Sequence, residues 1–269
     1  MTTVNASAVT EPRTPAVRRV ISTEFEHKWQ LDVGQASPPG LLAAEVFERH
    51  LHALTDPLTV SQSTMYVDDA EFSLARAGHA LGCIVNTGRA SDIAWLRLKQ
   101  TVLWDGRRDC LEIAERVDPG RIGQVINDPA VLPVGHVRRY GMAQGPLVPA
   151  GVLTQIRHKR TGSLHGLPSW VTFSIDEVEF RAPRGGIAPL RRYACLEVEV
   201  DDSDPDVLAG LDKLAADLDE LLGHDRREKL TKGQLACLAA HPDRLTEQQL
   251  VTSVNWLNAP AEEGTSCIP

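Results

Sequence analysis

Several features are scarce in this 269-residue chain, and each scarcity excludes something. Aromatic residues make up only 5%. Basic residues do not predominate: 28 Lys and Arg stand against 36 Asp and Glu, a net charge of −8. No general nucleic-acid footprint is therefore expected. The five cysteines, Cys83, Cys110, Cys195, Cys237 and Cys267, are odd in number and lack CxxC spacing. They read as reduced structural thiols of a cytoplasmic protein, without a zinc site. No apolar run approaches a membrane span, and the N-terminus carries no leader-like apolar stretch, so no membrane partner is expected.

What is present is a chain with 42% hydrophobic residues and enough length for a sizeable core. Residues 1–19 are rich in Thr, Ala and Pro and read as a disordered tail. Residues 20–258 read as a single domain with a connection near 118–150, followed by a loose tail over 259–269. Alternation predicts strands over Val20–Leu31, Leu58–Val67, His79–Asn86, Asp92–Val102, Arg108–Val117, Val152–Arg160, Trp170–Phe180 and Tyr193–Val200. Turns are expected at Asp105-Gly106 and Thr161-Gly162. Helices are expected over Leu41–Leu54, Asp204–Leu222 with Ser203 as N-cap, and Thr246–Leu257.

The charge pattern is the informative part. In the first strand Glu24, Glu26 and Lys28 share one face, while Phe25, His27 and Trp29 share the other. Glu197 and Glu199 repeat this arrangement late in the chain, as do Arg97 with Lys99 and Arg157 with Lys159. Charge on one face and apolar residues on the other is inside-out for a sandwich. It suits a closed barrel with a charged lumen whose apolar outside is covered by helices. Such a lumen can hold a hard divalent cation and the phosphate oxygens it bridges. By the same alternation His27 reads as a packed outer-face residue. Asp68 reads as a turn organiser.

The order of motifs resembles the CYTH superfamily, the triphosphate tunnel metalloenzymes. Glu24, Glu26 and Lys28 match its Glu-x-Glu-x-Lys strand. Tyr66-Val67-Asp68, then Leu74, Gly78 and Leu81, follow in family order, as does Leu96-Arg97-Leu98-Lys99. Arg108 and Glu112 partly meet the Arg-x-Glu-x-Glu strand, with Cys110 between them. Arg157 and Lys159, Ile175-Asp176-Glu177, Glu197 and Glu199, and Thr231-Lys232 complete the series. One departure stands out: Gly82-Cys83-Ile84 occupies the place of the family's Arg-x-Arg, and Arg76 or Arg89 is left as a possible substitute.

The resemblance implies an α+β, mostly antiparallel tunnel barrel of about eight strands. It implies Mg²⁺ or Mn²⁺ held by Glu24, Glu26, Asp176, Glu197 and Glu199. A small phosphorylated substrate would be bound by Lys28, Arg97, Lys99, Arg108, Arg157, Lys159 and Lys232, with Lys28 and Glu26 in catalytic roles. Arg97 stands either in the lumen or at its rim, and Glu112 either pairs with Arg108 or Arg157 or binds metal. The reaction implied is hydrolysis of a phosphoanhydride by a monomer or homodimer. A nucleotide cyclase, or a barrel repurposed for small-molecule biosynthesis or ligand binding, is the alternative.

Overall fold

The computed structural model describes residues 18–33, 38–87, 94–183 and 189–250. Residues 1–17 of the expected N-terminal tail, the tail over 259–269, Arg89, Cys267 and most of the helix expected over Thr246–Leu257 lie outside these residues, while Arg19 of that N-terminal tail opens the first strand.

Among the described residues nine strands form: β1 (Arg19–Leu31), β2 (Leu51–His52), β3 (Leu58–Asp68), β4 (Ala80–Thr87), β5 (Ala94–Trp104), β6 (Arg108–Val117), β7 (Val148–Leu164), β8 (Trp170–Arg181) and β9 (Arg191–Val200). They pair antiparallel in the order β2-β7-β3-β4-β5-β6-β1-β9-β8, and β8 pairs back onto β7. Eight strands thus close a ring with no free edge, and β2 is a short appendage on β7. The helices are α1 (Pro38–Leu42), α2 (Glu45–His50), α3 (Ser73–Arg76), α4 (Ile122–Val125), α5 (Leu132–Arg139), α6 (Pro205–Leu222) and α7 (Lys232–Ala240). No helix among the described residues is long and apolar enough to cross a membrane.

Period-two alternation decides which side of the ring each residue takes. On the outside, Phe25, Trp29, Phe173, Leu196 and Val198 pack under Val207, Leu211, Leu214 and Leu218 of α6. These α6 residues recur at helical spacing, which is why α6 lies flat on the sheet. His27 is buried on the same outer face, with Nε2 2.9 Å from Asp212 Oδ1. A second outer cluster joins Leu81, Cys83, Leu96, Leu98 and Ile113 to Val134 and Val137 of α5, so part of the 118–150 connection also covers the ring.

Three local expectations change. The helix expected over Leu41–Leu54 divides into α1 and α2, because Leu51 and His52 are taken by pairing with Leu164 and Ser163. The turn expected at Thr161-Gly162 is strand, and the chain turns instead at His165-Gly166. Gly162 packs closely within β7: a Cβ there would lie 2.6 Å from Leu54 Cδ2 and 3.0 Å from Leu51 Cβ. The α6 cap is Asp204 rather than Ser203: its side chain accepts from Asp206 N at 2.8 Å, with Pro205 at the first helical position.

α7 was not expected. It starts at a capping box in which Gln234 N donates to Thr231 and Gln234 reaches back to Thr231 N. Its Leu235, Ala236 and Cys237 pack against Leu153, Val178, Tyr193 and Cys195 on the inner faces of β7, β8 and β9. It therefore fills one end of the ring. The approach is close enough that a Cβ on Gly151 would lie 2.7 Å from the Ala236 carbonyl carbon.

Candidate functional site

Inside the ring the charged side chains meet. Register brings them there: Glu26 lies opposite Arg108 and Glu199, Lys28 opposite Glu197, Lys99 opposite Glu112, and Arg157 opposite Asp176. A cavity of about 120 Å³ lies between them.

Near the α7 end the carboxylates are matched by cations. Glu197 takes Lys28 at 3.0 Å, Lys232 at 3.0 Å and Arg157. Asp176, fully buried, is gripped by Arg157 through two nitrogens, at 2.8 and 2.6 Å, and by Lys232. Burial alone would raise Glu197, but Lys232, Lys28 and Arg157 hold its carboxyl well below the usual range. Glu26 accepts from Arg108 at 2.8 Å and has Lys99 at 3.4 Å and Lys28 at 3.7 Å. These cations outweigh its burial and hold it low as well.

At the other end the balance tips. Carboxylate oxygens of Glu24, Glu26 and Glu199 lie within 4.8 Å of one another. Lys99 serves Glu24 and Glu26 together, and it also lies 3.5 Å from Glu112. Burial, with Glu199, Glu26 and Glu112 close by, pushes Glu24 well above the usual range despite Lys99. Burial, with Glu197 and Glu26 nearby, raises Glu199 although Arg157 and Lys99 oppose it. Crowded carboxylates that resist ionising are short of positive charge. Glu24 and Glu199 are in that state; with Glu26, which its cations hold low, they offer three oxygen donors that fit a hard divalent cation. A second group, Asp176, Glu197 and Cys195, has similar spacing. Its carboxylates already hold cations, and burial pushes the Cys195 thiol up, so it suits metal less well.

Other sequence-derived candidates fall as follows. Arg97 lines the lumen yet is partly exposed, and it reaches Glu112 at 3.4 Å, so it is a lumen cation near the rim. Glu112 therefore pairs with Arg97 and Lys99, and neither Arg108 nor Arg157 is its partner. Lys159 has the strand parity of Arg157 but makes no ion pair among the described residues. Asp68 accepts from Asp69, Leu74 and Ala75 backbone N–H groups and organises its turn. Arg76 donates to the Glu71 and Arg244 carbonyls and does not enter the lumen.

Gly82 and Ile84 do face the lumen, and Cys83 faces out. A Cβ on Gly82 would meet Thr64 Cγ2 at 2.9 Å and the Tyr66 ring at 3.1 Å, so no side chain fits there as the wall stands. Gln62, Thr64, Tyr66, Cys110 and Gln155 also line the cavity. Strand parity with Arg157 could have revealed Gln155, and Cys110 shares the lumen face of Arg108 and Glu112. The others are neutral members of β3 with no charge to draw attention.

No family model and no curated protein matches the chain. Solved structures do. An adenylyl cyclase candidate from Hippeastrum, described as having a dominant triphosphatase activity, is 19% identical. It aligns over 83% of this chain and 98% of its own, with a TM-score of 0.47. A Pyrococcus horikoshii protein is 16% identical over 79% of this chain and 97% of its own, at 0.48. An adenylate cyclase candidate from Bacillus halodurans is 13% identical over 80% and 97%, at 0.47. What this chain binds has to be read from its own side chains.

Proposed function

We propose that this protein is a metal-dependent phosphohydrolase that acts on a triphosphate, diphosphate or related phosphorylated small molecule inside the ring. The observation that carries this reading is the division of charge within one lumen. A carboxylate trio, Glu24, Glu26 and Glu199, of which Glu24 and Glu199 are short of matching cations, stands beside a dense basic set.

Glu24, Glu26 and Glu199 would hold Mg²⁺ or Mn²⁺. When bound, such an ion supplies Lewis-acid polarisation of phosphoryl oxygens and can orient a water. The chain's own groups do the rest. Lys28, Lys99, Arg108 and Arg157 bind phosphoryl oxygens, and Lys232 adds charge from the first turn of α7. Lys28 and Arg108 stabilise negative charge as it develops on the leaving oxygen. Each is pre-oriented by a carboxylate, so little reorganisation remains when substrate enters. Asp176 acts through Arg157 and Lys232, which it positions.

The test is phosphate release from tripolyphosphate, pyrophosphate and ATP with Mg²⁺, Mn²⁺ or EDTA. Metal-dependent release, abolished in Glu26→Gln protein that still folds, is the expected result. Folded wild-type protein that releases no phosphate from any of them would refute the reading.

A further inference from the structure

Strand pairing has a gap close to the site, and an irregular segment fills it. β6 follows β1 only as far as Arg108 opposite Glu26, while β1 runs on to Leu31 beside β9. Residues 227–231 form no strand of their own. They take the side of β1 that β6 has left: Glu228 N donates to the Lys28 carbonyl at 2.9 Å, and Arg227 bridges to Trp29.

The outer end of this segment is clamped through Arg227. Its Nε and Nη2 donate to Asp219 of α6 at 2.6 and 2.9 Å, and its Nη1 lies 3.2 Å from the Gly106 carbonyl and touches His27 Nδ1. The guanidinium sits 4.3 Å from the centre of the Trp29 ring, and Trp29 Nε1 donates to the same Asp219 at 2.8 Å. A forked carboxylate pair combined with an aromatic face uses the planar shape of arginine, which lysine lacks.

Two residues on, the same segment reaches the lumen. The Lys229 carbonyl accepts from Arg108 Nη2 at 2.6 Å, while Arg108 Nη1 donates to Glu26 at 2.8 Å. Two acceptors on two nitrogens fix the plane of a guanidinium; Glu26 alone would let it pivot about one bond. The Lys229 carbonyl belongs to no ladder, so its place is set by what ties the segment on either side. Inward, Glu228 accepts from the Tyr193 hydroxyl at 3.0 Å, and Lys232 of α7 pairs with Glu197 at 3.0 Å. Outward, the tie is Arg227.

We propose that Arg227 is a positioning residue for Arg108. From outside the ring it pins the segment whose Lys229 carbonyl orients the Arg108 guanidinium inside. Asp219 and Trp29 serve the lumen through it. The catalytic consequence rests on the hydrolase reading above, in which Arg108 meets charge developing on the leaving oxygen; the orienting of Arg108 does not.

Two measurements test this on the full chain. The first is side-chain nitrogen NMR of Arg108 in ligand-free protein, assigned by its loss in Arg108→Lys. Wild type is expected to give separate, slowly exchanging Nη signals, and Arg227→Ala to give averaged ones. The second is phosphate release from tripolyphosphate with Mg²⁺. Arg227→Ala should lower kcat by about ten- to a hundredfold, the scale of a misplaced catalytic group. KM should stay within about twofold, since Lys28, Lys99 and Arg157 still bind the substrate. A merely structural Arg227 would lower the unfolding midpoint and leave both readings unchanged per folded molecule. Should Arg227→Ala not fold, the same readings are taken on Arg227→Lys, which keeps the charge over Trp29 and loses the fork. Averaged Arg108 signals in wild type, signals unchanged in the folded variant, or an unchanged kcat where wild type is active would overturn the proposal. Averaging in the variant alone, with no phosphate released by wild type, would support the positioning role and sink the hydrolase.

Discussion

The two carboxylate groups in the lumen have the same chemistry and similar burial, and they differ in their company. Asp176 and Glu197 sit where Lys28, Arg157 and Lys232 converge. Glu24 and Glu199 sit beside other carboxylates, with Lys99 spread over several of them. The first group is a completed ion network that positions cations. The second is an incomplete one that asks for a cation. Glu26 belongs to both, through its place in the trio and its bond to Arg108. What a buried acid does here is decided by the charge around it more than by its own depth.

Breaking the completed group should have the largest effect on stability. Glu197→Gln leaves Lys28 and Lys232 with less negative charge than they were buried to meet. A loss of about 3–5 kcal/mol is expected, read from urea unfolding near neutral pH. The sign follows from the depressed carboxyl: its stabilisation is present above the ordinary glutamate range and is lost as pH falls through the lower folded-state value. Wild type should therefore lose this advantage over the variant on strong acidification. A variant as stable as wild type at neutral pH would erase the distinction between the two groups.

The incomplete group should respond in the opposite sense. Glu199→Gln removes a charge the fold holds reluctantly, so metal-free stability should hold or rise. Affinity for Mn²⁺ should fall by about ten- to a hundredfold, since affinity follows the number of charged ligands. Raised carboxyls also set the pH dependence. A group with a raised folded-state value penalises the folded protein in full above that value, and the penalty fades as pH falls from there to the ordinary carboxylate value, or as a cation binds. Mn²⁺ affinity should thus weaken as pH falls through a window lying above the ordinary carboxylate range. Calorimetry at stepped pH would show this; a flat profile would place the ion elsewhere.

The faces of the strands were legible in the sequence because period two is a strong signal. Glu24, Glu26 and Lys28 had to share a side, and Phe25 and Trp29 had to seek cover. The match of cation to carboxylate was not legible, because it depends on register: Arg157 meets Asp176 only through the β7–β8 alignment. α7 was missed because it is buried over Lys232–Cys237 and offers no polar stripe to set off an apolar one. Leu41–Leu54 looked helical because apolar spacing cannot reveal that Leu51 will be claimed by a strand distant in sequence. The lumen faces of β3 and β4 carry no charge pattern, so Gly82 read as a missing cation; in the structure it is the seat of the Tyr66 ring.

Arg97 gives the smallest and sharpest test of the difference between the groups. It lies at the trio's end of the lumen, partly exposed, and its one ion pair among the described residues is 3.4 Å to Glu112. Screening by water limits such a pair, so Arg97→Ala should cost under about 1 kcal/mol of stability. Its effect on the metal should have the opposite sign. Glu112 shares Lys99 with Glu24, so removing the guanidinium leaves the trio's surroundings more negative and should strengthen Mn²⁺ binding by a few-fold while loosening phosphate binding. The same truncation at Lys232, inside the completed group, should destabilise the protein severely and offer the metal no comparable gain. If Arg97→Ala weakened both Mn²⁺ and phosphate, Arg97 would belong to the completed network, and the line between the groups would have to be redrawn around Glu112.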